Sequence, residues 1–142
     1  MNNDEIYLSK MLKGEKMGID IYNKYINKLP EGNWKREVVG FKEEHVRHKT
    51  RLENIMIGRD LEVSEEIGIQ GKLSELMVAA KLTFINTPKD IMKEVKKGET
   101  MAAKYSEKYL SEFSEGIKPD IEKMLKEDRE RIKKVEKLLS KF

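Results

Sequence analysis

Five side chains carry donor atoms at positions where packing alone would place apolar ones: Glu15, His45, His48, Glu99 and Asp128. His45 and His48 are the only histidines among the 142 residues. Their i,i+3 spacing puts both on one helix face. Glu15, Glu99 and Asp128 each interrupt an apolar stripe of helical period. Burying an isolated carboxylate costs several kcal/mol unless it is paired or bound to a cation. Three carboxylates and two imidazoles converging in a helical core would offer oxygen and nitrogen donors, which suit Fe, Mn or Zn better than Cu(I). Glu44, four residues before His48, either adds a ligand or faces solvent.

Each residue also has a plainer role open to it. A glutamate on an apolar stripe can sit at its edge and reach water or a lysine. Two histidines at helical spacing can form a hydrogen-bonded pair. Asp128 can pair with Arg131, one turn on. Tyr22, Tyr25, Tyr105 and Tyr109, one to three turns from the glutamates, are either redox neighbours or core aromatics with a tethered hydroxyl.

Helices must position these groups. Charged residues make up 39% of the chain and are interleaved in sign, with 9 Gly and 3 Pro, a composition that favours helices with charged outer faces. Apolar residues spaced by three and four predict five helices. The first runs from about Asp4 to Leu29, with Leu8, Met11/Leu12, Glu15, Ile19, Tyr22, Ile26 and Leu29 along one face. Pro30 and Gly32 stop it, and Asn33 is placed to cap the next. The second spans about Trp34 to Ile57 and carries Val38, Phe41, His45, His48, Leu52 and Ile55; Gly58 is its natural stop. A third begins between Ser64 and Gln70 and reaches Ile85, with Leu73, Leu76/Met77, Ala80 and Phe84 as its inner face. Thr87-Pro88-Lys89-Asp90 is a start signal for the fourth. That helix carries Met92, Val95, Glu99, Ala102, Ser106, Tyr109 and Phe113 and ends at Gly116. Pro119 opens the fifth, whose stripe is Ile121, Met124/Leu125, Asp128, Arg131/Ile132, Val135, Leu138/Leu139 and Phe142.

A repeat organises these elements. Lys13-Gly14-Glu15-Lys16-Met17 recurs 84 residues on as Lys97-Gly98-Glu99-Thr100-Met101, and Tyr25-Ile26 as Tyr109-Leu110. The second and fifth helices align at an offset of 83, which matches Val38 with Ile121, His45 with Asp128, His48 with Arg131 and Leu52 with Val135. The reading is a single all-α domain over 1–142. One antiparallel hairpin lies at about 4–57, a linker and crossover helix at about 59–86, and a second hairpin at about 88–141. Together they are expected to form a four-helix bundle. Gly14 and Gly98 each cost about 1 kcal/mol relative to Ala inside a helix. Close helix approach or common ancestry of the halves would explain their recurrence.

Other function classes fall away. Without cysteine the chain has no disulfide, zinc ribbon, thiolate chemistry or Cys-ligated iron. A net charge of +3 from interleaved signs leaves no nucleic-acid footprint. No apolar run approaches the roughly 20 residues of a membrane span, and Met-Asn-Asn-Asp-Glu lacks the basic and apolar regions of a signal peptide. The expectation is a cytoplasmic protein with no membrane or nucleic-acid partner. A homodimer is open to it, with Trp34 and Phe41 as contacts or, alternatively, as core.

Two hairpins, each with a Glu on its first helix and a Glu-x-x-His on its second, define the ferritin-like carboxylate bundles. This chain resembles that superfamily from about Asp4 to Leu139, in particular the rubrerythrin-like proteins and a small ferritin-like family of unknown function with a duplicated hairpin. Glu15 and Glu99 stand at the first-helix glutamates, and His48 at the first motif's histidine. His45 replaces the Glu before it, Asp128 replaces the second motif's Glu, and Arg131 its His. The resemblance implies Fe or Mn in the core, with redox work on oxygen or peroxide or with iron handling. The short ligand set points to one ion rather than a bridged pair. Equally open is a metal-free structural or interaction bundle in which these charges satisfy one another.

Overall fold

The computed structural model describes residues 3–63, 68–85 and 87–141. Among them are five α-helices, one 3-10 turn and no strand: α1 (Asn3–Lys28), α2 (Asn33–Gly58), α3 (Gly68–Leu82), α4 (Pro88–Tyr109), the 3-10 turn Leu110–Glu112, and α5 (Lys118–Leu139). The chain divides into two compact units, one of Leu8–Pro88 and one of Met1–Tyr7 with Lys89–Phe142. The start of α3 at Gly68 falls within the expected range of Ser64 to Gln70, of which residues 64–67, like Phe142, lie outside the described residues. None of the described helices is long and apolar enough to cross a membrane.

In the Leu8–Pro88 unit, α1 buries Leu8, Leu12, Tyr22, Tyr25 and Leu29, while α2 buries Val38, Phe41, Leu52 and Met56. Ion pairs between Glu15 and both histidines link the two helices, about equally far on either side of the Pro30 turn, as an antiparallel hairpin requires. Asn33 is not the cap expected of it. It is the first helical residue, and its side-chain oxygen accepts a hydrogen bond from Arg36. The cap position falls to Gly32 at φ 147°, a conformation open to glycine and strained for other residues. At the other end, α2 runs through Gly58 and turns at Asp60, whose φ is 58°. The N–H of Leu61 reaches the Met56 carbonyl at 2.9 Å, and that of Asp60 reaches Ile57 at 3.1 Å. This is a Schellman stop with aspartate in the left-handed position usually held by glycine.

The expected inner face of α3 is overturned. Leu73, Leu76, Met77, Ala80 and Phe84 are exposed, and Gly71 and Leu82 are buried. Leu82 lies about 140° round the helix from Met77, at about 100° per residue. Apolar side chains occur on both sides of α3, so periodicity alone does not tell which side turns inward. Phe41 is core, not a contact surface.

In the other unit, α4 buries Ile91, Met92, Val95, Glu99, Ala103 and Ser106; Ala103 takes the inward place assigned above to Ala102. Pro119 lies in the first turn of α5, which buries Ile121, Met124, Leu125, Asp128, Arg131 and Val135. The start of α1 is tied in by Asp4, which accepts a hydrogen bond from the Ser114 N–H at 2.8 Å. Tyr7 stacks on Tyr109 at 4.5 Å between ring centroids.

A Cβ at Gly14 or Gly98 would meet nothing within 4 Å. The close-approach explanation of the two glycines is therefore withdrawn.

Candidate metal centre

Glu15 is carried on α1 between the buried Leu12 and the half-buried Ile19, so the helix that buries its apolar neighbours carries the carboxylate inward. On α2, the turn from Phe41 to Leu52 does the same for His45 and His48, both buried. Short helix connections and a shared apolar face thus bring three donor side chains to one point.

The carboxylate spans both rings. His45 Nδ1 lies 2.6 Å from Glu15 Oε2, and His48 Nδ1 lies 3.7 Å from Glu15 Oε1. One ligand atom from each of the three residues can be chosen so that all lie within 4.8 Å of one another. The side chains are almost closed to solvent, with exposures of 11% for Glu15, 7% for His45 and 5% for His48. Tyr22 covers one side, its ring 5.3 Å from that of His45, and the two imidazoles meet edge to face at 6.1 Å.

Burial alone would raise the Glu15 pKa. The charge and hydrogen bond of His45, joined by a weaker contribution from His48 at 3.7 Å, reverse this and hold it at about 2. Glu15 is therefore an ionised acceptor over the whole physiological range. With His45 protonated on Nδ1, that N–H donates to Oε2. A divalent ion can take the place of that proton: donors about 2.0–2.2 Å from one metal sit about 3 Å apart along an edge of its coordination polyhedron. Two imidazoles and one carboxylate form the facial triad of non-haem Fe(II) and the His₂Glu set of catalytic Zn.

The equivalent positions in the other unit hold a different solution. Arg131 Nη1 donates to Glu99 Oε2 at 2.8 Å and to Asp128 Oδ1 at 2.7 Å, with the arginine side chain fully buried. Through the repeat, Glu99 corresponds to Glu15, Asp128 to His45 and Arg131 to His48. A guanidinium thus supplies in one half the positive charge that a metal or protonated imidazoles would supply in the other. Removing it would leave two buried carboxylates uncompensated, the costly case for buried charge.

Of the expected ligands, Glu15, His45 and His48 therefore come together. Glu99 and Asp128 lie in the other unit and are engaged by Arg131. Glu44 is half-buried and is not among the converging donors. Two features went unread in the sequence. Tyr7 joins Tyr109 and Phe113 in an aromatic cluster. Glu75 of α3 meets Asp20 of α1, where burial, then the hydrogen bond and charge of Asp20, push its carboxyl up. Neither Tyr7 nor Asp20 interrupts an apolar stripe, the one signal that marked the other polar residues.

No protein-family model, curated protein or solved structure matches this chain.

Proposed function

We propose that this chain is a ferritin-like metal protein that holds one divalent ion, Fe(II) or Mn(II), with Glu15, His45 and His48. The convergence of those three donors on one buried point carries the reading. The duplicated Gly-Glu phrase and the shared offsets of the second and fifth helices support the ferritin-like arrangement. A bound ion would supply Lewis acidity and an open coordination position for oxygen or peroxide chemistry or for iron handling. Around it, the protein's own groups have separable roles. Glu15 contributes a permanent negative charge, and the two histidines contribute nitrogen donors whose protonation competes with the metal. Tyr22 packs against the His45 ring and limits access by water.

The test is anaerobic loading with Fe(II) and, separately, Mn(II), followed by desalting and metal analysis. The wild type is expected to retain about one ion per chain, and Glu15→Gln and His48→Ala to lose it while still melting cooperatively. Ligand linkage adds about 4 kcal/mol of stability when free metal is a thousandfold above its dissociation constant, so melting temperature gives a second readout. A wild type that retains no metal rejects the proposal.

One observation favours a second reading. The 2.6 Å contact between His45 and Glu15 already satisfies both groups without an ion, as Arg131 satisfies Glu99 and Asp128. On this reading the chain is a metal-free structural or interaction bundle. Its melting temperature would then follow pH and ignore added Fe(II), Mn(II) and Zn(II).

A further inference from the structure

The richest apolar stripe of α3 faces away from the protein. Leu73 is 54% exposed, Leu76 66%, Met77 73% and Phe84 86%, and Ala80 lies open between them. These positions follow the i, i+3/i+4, i+7, i+11 spacing of one helix face. Phe84 stays on that face because Thr83 and Phe84 continue the helical path, donating to the Ala80 and Lys81 carbonyls. On the opposite side of α3, the buried Leu82 lines a recess with Lys24, Asn27 and Lys28 of α1, and Glu75 lies beside Asp20. The helix is therefore apolar on two sides, and only one of them is covered.

We infer that the exposed face of α3 is the interface of a two-fold dimer, with a second copy of this chain as its occupant. Size and self-complementarity both favour a second copy. The stripe opens on the order of 500 Å² of apolar surface, near the top of what a monomer shows. A two-fold contact doubles that to roughly 1,000 Å², the threshold of a specific interface. A two-fold axis across α3 makes the helices antiparallel. With the axis passing between Val78 and Ala79, Met77 of one copy falls on Ala80 of the other, and Leu73 falls on Phe84. Large residues then meet the one small residue of the stripe, and the two end residues meet each other. Lys72 and Lys81, exposed on opposite edges of the stripe, form a polar rim around an apolar centre. Leu76 packs along the alkyl stem of Lys81.

The test is sedimentation of the full chain across micromolar concentrations. The wild type is expected to be a dimer. Met77→Asp, at the centre of the face, is expected to weaken association by roughly 30-fold or more without lowering the melting temperature of the monomer. Orientation has its own readout because the chain contains no cysteine. On oxidation, a mixture of Met77→Cys and Ala80→Cys chains is expected to give a cross-linked heterodimer, while Leu73→Cys alone stays uncross-linked. A monomeric wild type overturns the inference, as does a dimer indifferent to Met77→Asp. Efficient cross-linking of Leu73→Cys would show parallel helices and overturn it too. Binding of monomeric protein to phosphatidylcholine vesicles, lost in Met77→Asp, would assign the face to a membrane surface instead.

Discussion

Glu15 keeps its charge in a nearly closed site because two imidazoles face its two oxygens. That arrangement ties acid stability to one residue. The unfolded chain protonates this carboxyl near its ordinary value of 4.5, whereas the folded protein holds it ionised down to about 2. Between those values the unfolded state binds more protons, so folding loses free energy as pH falls. The contribution is fully present above about pH 4.5 and gone below about pH 2, on the order of 3 kcal/mol across the window. Glu15→Gln is expected to flatten this part of the profile in denaturant melts at a series of acid pH values. A variant that loses stability as steeply as the wild type would show that the histidines do not hold the carboxylate charged. Arg131 does comparable work by other means. Its charge is permanent, so a guanidinium serves the Glu99–Asp128 cluster where two imidazoles serve Glu15.

Helix geometry explains which of these contacts could be read without coordinates. Inward polar residues on α1, α2, α4 and α5 stand out because each interrupts a regular stripe, and those helices bury nearly the residues that the stripes name. On α3 apolar residues lie on both sides of the helix, so the stripe alone does not fix which side turns inward. Its approach to α1 brings Glu75 beside Asp20, with Lys24 and Lys72 nearby, a proximity between residues far apart in sequence that no local period reports. Gly14 and Gly98 mark a different limit. Recurrence made them look structural, yet each faces open space in mid-helix. Ala in place of either is expected to raise stability by about 0.5–1 kcal/mol, through fewer unfolded conformations and better helix propensity. Denaturant midpoints of Gly14→Ala and Gly98→Ala check this. A loss of stability in either variant would reveal a constraint on that backbone beyond the space around it.

At the scale of the whole chain, the repeat is a comparison built into one molecule. Two helix pairs carry Glu15 and Glu99 at matched positions. The partners at the next matched positions differ: His45 and His48 in one pair, Asp128 and Arg131 in the other. The exchange of Asp128 and Arg131 for two histidines swaps a built-in cation and a second carboxylate for two nitrogen donors at i,i+3 spacing. If donor identity is what makes the first cluster a metal site, Asp128→His combined with Arg131→His turns the second into its equivalent. Retained Fe(II) or Mn(II) is then expected to rise from about one to about two per chain, and Glu15→Gln in that background to return it to about one. Calorimetric titration would resolve the two sites if their affinities differ by more than about tenfold, a difference of 1.4 kcal/mol. If the combined variant folds and retains no more metal than the wild type, matched donors in matched positions are insufficient. Affinity at Glu15, His45 and His48 would then depend on features the repeat does not share, with Tyr22 against His45 the first to examine.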